Sequence, residues 1–217
     1  MSFSLKHIVR KPKIASSNPP LFLMLHGYGS NEEDLFSFAN ELPDELLIIS
    51  ARAPLSIDFG GYAWYTIHFE ADDKKFSDVP EAIEARDTIA KFIDELQEVY
   101  KFDPDKSFLM GFSQGTILSY AVALSYPKKI KNILALSGYI NEELITPPEE
   151  TKDYKSLDFF CSHGSVDPVI PVDWARKVST ILQNLTISYS YKEYFAGHGI
   201  VPQNFEDMKN WIDEKLN

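Results

Sequence analysis

Apolar residues recur along this chain in two rhythms. Short continuous runs, Leu21–Leu25, Leu46–Ile49, Phe108–Met110, Ile133–Leu136 and Phe159–Cys161, read as strands buried on both faces. Between them lie stretches with helical spacing. Val79, Ile83, Ile89 or Ala90, Ile93, Leu96 and Tyr100 form one stripe, predicting a helix over 78–100. Asp78 and Glu81 stand at capping-box spacing, with Pro80 in the first turn. Further helices are expected over 32–42 with Ser30 or Asn31 as cap, 116–124, 172–185 and 200–216. Residues 3–10 alternate as a half-buried edge strand does, and 186–194 reads as a strand by the same criterion.

Strands thus alternate with helices from residue 21 onward. That order predicts an α/β fold: a mostly parallel central sheet of about seven strands with helices on both faces. A length of 217 residues suits one such domain, 1–217, with a full core. No internal repeat, low-complexity segment or linker interrupts it.

Residues 51–77 carry no long period. They hold Gly60-Gly61 and the aromatics Phe59, Tyr62, Trp64, Tyr65 and Phe69. A loop this long in a compact domain is usually functional. Trp64 and Tyr65 are the expected wall of a substrate pocket, the competing reading being that the aromatics only cover core. The segment between Ser137 and Leu157 is short, charged and rich in proline, with no apolar lid.

The candidate chemistry sits at strand ends. Gly111-Phe-Ser-Gln-Gly115 falls between a predicted strand and a predicted helix. Gly-x-Ser-x-Gly arises by chance in roughly one chain in fifteen of this length, so the flanking elements are what give it weight. In a nucleophile elbow the serine occupies a strained turn, and side chains at 111 or 115 would strike the neighbouring strand or the helix start. The plain alternative is an ordinary strand-to-helix turn with Ser113 as N-cap.

Asp167 and His198 also lie just beyond predicted strands, 54 and 31 positions apart along the series Ser113, Asp167, His198. This edge is where open α/β sheets build sites, and Ser-Asp-His is the chain order of an α/β-hydrolase. A serine hydroxyl needs a base to take its proton, and histidine titrates near neutrality. A carboxylate then fixes the imidazole tautomer. An oxyanion needs donors: the N–H of Gln114 is one, and the N–H at Leu25 or nearby is the expected second. His26 and His163, each followed by glycine at a strand end, read as local loop hydrogen-bonders. Cys161 reads as a small buried hydrophobe.

At this point the chain resembles the phospholipase/carboxylesterase family of α/β-hydrolases, which includes small bacterial carboxylesterases and acyl-protein thioesterases. The likeness rests on Leu25-His-Gly-Tyr-Gly-Ser-Asn-Glu-Glu-Asp-Leu35, Gly111-Phe-Ser-Gln-Gly115, His163-Gly-Ser-Val-Asp-Pro-Val-Ile-Pro171 and Gly197-His-Gly-Ile200. It implies Ser113, Asp167 and His198 as a triad, Leu25 and Gln114 as oxyanion donors, and hydrolysis of esters or thioesters with no cofactor; the residues themselves show no Cys/His cluster at zinc spacing, so no metal is expected. The chain departs from the family pattern at Thr116, where a second glycine is common, and at Thr66, where an acidic residue often follows the aromatic pair.

Charge narrows the partners. Lys plus Arg is 21 against 32 Asp plus Glu, a net charge of −11, which argues against nucleic acid and anionic membrane surfaces. No apolar run approaches a membrane span, no secretory leader is evident, and a lone cysteine forbids an internal disulfide, so a cytoplasmic protein is expected. The leading expectation is a serine carboxylesterase acting on a small-molecule ester of small to medium acyl chain. A thioesterase or lysophospholipase for longer chains is the alternative, and a non-catalytic binding module the third reading. The sequence leaves monomer and homodimer both open.

Overall fold

The computed structural model describes residues 3–57, 60–69, 75–146 and 153–217, without the side chains of Phe69, Lys75 and Phe76. Phe59, and Pro147-Pro148 of the proline-rich segment noted above, lie outside them. The apolar runs become β2 (Pro20–Leu25), β3 (Leu47–Ala51), β8 (Asp103–Phe112), β9 (Asn132–Leu136) and β10 (Asp158–Gly164). With β1 (His7–Arg10) and β11 (Ser188–Tyr194) they form a seven-stranded sheet of order β1-β3-β2-β8-β9-β10-β11. Only β1 runs antiparallel, at the edge against β3.

Alternation along each strand feeds two cores. Leu21, Leu23 and Leu25 point to the face covered by α2 (Val79–Tyr100), α3 (Gln114–Ser125) and α4 (Val172–Asn184). Phe22 and Met24 point to the other face, covered by α1 (Glu33–Phe36) and α5 (Pro202–Leu216). Every residue of α3 is buried, because this helix is enclosed by β2, β8, β9 and α2.

Local chemistry explains the element ends. Asp78 accepts the Glu81 N–H at 3.0 Å, but Glu81 does not close the box and instead accepts the N–H of Thr66 at 2.7 Å. The expected helix over 32–42 is one α-helical turn followed by a 3-10 stretch over Ser37–Glu41. The Arg10 guanidinium holds the carbonyls of Ala39, Leu42, Pro43 and Leu46 at its far end. The long aperiodic segment is not irregular throughout. It pairs β4 (Leu55–Ser56) with β5 (Tyr62–Ala63), and β6 (Ile67–Phe69) with β7 (Lys75–Ser77).

The connections from the neighbouring strands β2 and β8 leave in opposite directions, from β2 to β3 on one side and from β8 to β9 on the other. The crevice at their carboxyl ends is the topological switch point, and both the His26–Ser30 turn and the Ser113 turn open there.

Candidate active site

Ser113 joins β8 to α3 with φ 54° and ψ −116°, a backbone that non-glycine residues seldom hold. The two glycines around it relieve crowding. A Cβ at Gly111 would lie 2.5 Å from the Gly115 backbone, and one at Gly115 would lie 2.1 Å from the Leu25 carbonyl oxygen. The helix start and the neighbouring strand end thus press on the turn as expected.

The sharp turn lifts the Ser113 hydroxyl to 2.9 Å from His198 Nε2. His198 Nδ1 lies 2.7 Å from Asp167 Oδ2. The carboxylate is an acceptor, so Nδ1 carries the hydrogen and Nε2 accepts from the serine. The Asp167 side chain is fully buried, whereas the His198 side chain is 16% exposed and reachable from outside. The other carboxylate oxygen accepts the N–H groups of Val169 and Ile170 at 2.8 and 3.0 Å. Burial pushes the Asp167 carboxyl up, but these bonds and the one from His198 outweigh it and hold the group below the ordinary carboxylate value.

A cavity of about 260 Å³ opens beside Ser113 and His198. Tyr28, Gln114, Tyr65 and Ile117 are among its lining, with Trp174 and Val169 at exposed positions. Among the described residues, no group of three potential metal ligands exists. Nor is any helix there long and apolar enough to cross a membrane.

Residues 9–216 match the family model described as Phospholipase/Carboxylesterase. The chain belongs to the phospholipase/carboxylesterase family. It is a hydrolase of that esterase and thioesterase family. It is 28% identical to acyl-protein thioesterase 1 of Cryptococcus neoformans over 244 aligned positions covering all of both chains. Against acyl-protein thioesterase 1 of Saccharomyces cerevisiae it is 32% identical over 124 residues, 55% of each chain. The fold matches the Bacillus cereus carboxylesterase with a TM-score of 0.82, at 22% identity over 97% of this chain and 94% of that one. Esterase PE8 superposes with a TM-score of 0.84 at 24% identity, covering 98% of this chain and 99% of that one.

Within this family fold, two expected site residues, Leu25 and Trp64, take other places. Leu25 sits in β2 between β3 and β8, fully buried, and does not line the cavity. A residue inside a paired strand has its amide directed into the sheet. Tyr28, in the turn beyond, does line the cavity, and its N–H meets no acceptor among the described residues. The Gln114 N–H, first in α3, likewise has no intrahelical acceptor. The turn is fixed by pairing: Gly29 N–H bonds the Tyr62 carbonyl at 2.9 Å, and Tyr62 N–H bonds the Ser30 carbonyl at 2.8 Å.

Trp64 and Tyr65 divide. Tyr65 lines the cavity; Trp64 does not. The Trp64 indole N–H bonds the His26 carbonyl at 2.9 Å, which turns the ring into the core behind the turn. Gln114 clasps both residues by their backbones, its Oε1 accepting Trp64 N–H and its Nε2 donating to the Tyr65 carbonyl, each at 2.8 Å.

His26 is the local hydrogen-bonder expected. Its Nε2 accepts the Ala53 N–H at 3.1 Å, so the hydrogen is on Nδ1, which donates to the Gly27 carbonyl at 2.8 Å. Burial lowers its pKa, and the ring stays neutral. His163 reaches further than its sequence context suggested. Its Nε2 faces the Ile170 carbonyl at 2.9 Å and Asp167 Oδ2 at 3.3 Å, so it braces the Asp167 turn from within. Cys161 is buried beside the Tyr120 hydroxyl, and burial pushes its thiol to about 12, far from a nucleophile.

Proposed function

We propose that the chain is a serine esterase that cleaves carboxylic esters of small to medium acyl chain through an acyl-enzyme. The observation that carries this reading is His198, placed between the Ser113 hydroxyl and the Asp167 carboxylate at the mouth of one cavity.

Ser113 Oγ attacks the ester carbonyl while His198 Nε2 takes its proton. Asp167 keeps the Nδ1–H tautomer and stabilises the imidazolium that forms. Negative charge grows on the former carbonyl oxygen, and the free N–H groups of Tyr28 and Gln114 are its donors, Tyr28 standing where Leu25 was expected. The tetrahedral adduct collapses, and His198 returns the proton to the departing alkoxide. Water, deprotonated by the same nitrogen, then attacks the acyl-serine and releases the acid. Asp167, His198, Ser113 and Gln114 need no cofactor for these steps.

The volume of the cavity supports this choice of chain length. At about 260 Å³ the cavity lies below the usual range of roughly 300–1,000 Å³ for drug-sized ligands. That size favours a short acyl group. The second reading, a thioesterase for longer chains, draws on the names of the fungal relatives. A thioester carbonyl would meet the same nucleophile, with a thiolate leaving.

A fluorophosphonate probe, which phosphonylates an activated serine, tests the assignment. Wild type labels and Ser113→Ala does not, with kcat/KM on short esters falling about 10⁴-fold or more. Labelling that persists in Ser113→Ala overturns it.

A further inference from the structure

Three hydroxyls meet in the wall of this cavity: Tyr65, Ser77 at the end of β7, and Tyr139 just after β9. They come from separate segments of the chain, so no local turn or cap accounts for their meeting. The Ser77 hydroxyl faces the cavity beside both phenols. It stands opposite Ile67 across the β6–β7 hairpin, and both side chains face the cavity.

We infer that the acyl side of the cavity is built for a short acyl group bearing a hydrogen-bond acceptor, such as a hydroxy- or oxo-acyl group, rather than for a plain alkyl chain. This rests on the esterase reading above and names the substrate class for the same site.

Hydrogen counting carries the argument. Each hydroxyl has one hydrogen to give. Even a chain of bonds from Tyr65 through Ser77 to Tyr139 would use only two of the three, leaving one O–H and spare lone pairs for a ligand. Water in the cavity can meet that O–H until a bound acyl chain displaces it. The Gln114 side chain beside them already bonds the Trp64 N–H through Oε1 and the Tyr65 carbonyl through Nε2. Burial raises the pKa of both phenols, so they remain donors at any working pH. An alkyl chain filling this space would strip water from the spare O–H and return nothing. A hydroxyl or keto oxygen on the acyl chain would accept from it. A buried donor left unpaired is penalised enough to separate the two classes by about tenfold to a hundredfold.

The test compares kcat/KM of the full chain on matched phenyl esters of butyrate, 3-hydroxybutyrate, 3-oxobutyrate and hexanoate. In wild type the two polar esters should exceed butyrate by about tenfold or more. Tyr139→Phe and, independently, Ser77→Ala should bring the ratio close to one by lowering the polar-ester rate while alkanoyl esters gain. Ser77→Ala keeps the test open if the tyrosine variant fails to fold. Turnover of all the esters by wild type with no polar preference overturns this inference and leaves the esterase reading standing. So does an equal loss on every ester in both variants, which would make the hydroxyls a brace. Turnover of none of the esters overturns both.

Discussion

Trp64 and Tyr65 are chain neighbours with opposite surroundings, and the consequence is testable one residue at a time. Tyr65 lines the cavity, while the Trp64 ring is tilted against His26 at 5.5 Å between centroids and sealed from solvent. Truncating a buried tryptophan removes its contacts and leaves a void, typically at about 3–5 kcal/mol. Trp64→Ala should therefore lower the melting temperature and reduce turnover by a similar factor on acetyl and hexanoyl esters. A loss confined to hexanoyl and longer esters, with an unchanged melting temperature, would return Trp64 to the pocket wall. The sequence shows two adjacent aromatics in an aperiodic stretch, where no repeat says which of them faces inward. The choice is made by the His26 carbonyl and the Gln114 side chain, both distant along the chain. Leu25 fails for a different reason, one that sequence reasoning could have found. It ends a run that reads as a central strand, so its amide is spoken for, and a free N–H had to come from the glycine-flanked turn after it.

At the scale of elements, Thr116 shows how a departure from the family pattern is absorbed. It sits in the first turn of α3 and is fully buried. Its hydroxyl donates to the Leu136 carbonyl at 2.6 Å and accepts the Leu136 N–H at 3.0 Å, tying the helix start to the end of β9. The room for its methyl comes from Gly138, where a Cβ would stand 2.5 Å from Thr116 Cγ2. Thr116→Val keeps the shape but strands the buried Leu136 amide, while the Leu136 carbonyl keeps the Ser113 N–H at 3.0 Å; it should destabilise the fold by about 1–3 kcal/mol in denaturant titration. An unchanged midpoint would show that water or a shift of β9 replaces the hydroxyl. Elements like these were legible where a period ran long: α2 with its stripe and Asp78 cap, and the continuous runs of β2, β3, β8, β9 and β10. The β4–β5 and β6–β7 hairpins were not, because two- and three-residue strands carry no period. Their pairing depends on contacts such as Glu81 with Thr66, which spacing along the chain does not encode.

At the scale of the whole molecule, buried and paired titratable groups set the response to pH, and the acidic balance opposes them. His26 is held neutral by burial, its pKa below the ordinary histidine value. The unfolded chain protonates it below about pH 6.5 while the folded chain does not, so stability present above that pH is lost as pH falls. A second group acts lower. The Arg52 guanidinium lowers the pKa of Glu32, Arg176 lowers that of Glu193, and the Tyr194 hydroxyl with Lys192 lowers that of Asp207. For Asp167, burial works the other way but is outweighed by its hydrogen bonds. For each of these carboxyls the folded pKa lies below the unfolded value of about 3.9–4.3. Their contribution is complete above that value and disappears as pH falls through the folded one. Relief of self-repulsion works against both steps, since acid titrates away a net charge of −11. Salt near 0.15 M screens that repulsion between exposed charges more than it weakens buried contacts. In such salt the melting temperature should fall in two stages, the first beginning near pH 6.5 and the second near pH 4. His26→Gln should flatten the upper stage, and Glu32→Gln should make the lower one shallower. A melting temperature that stays level or rises from pH 7 to pH 3.5 would show that charge repulsion, rather than these held groups, governs the molecule in acid.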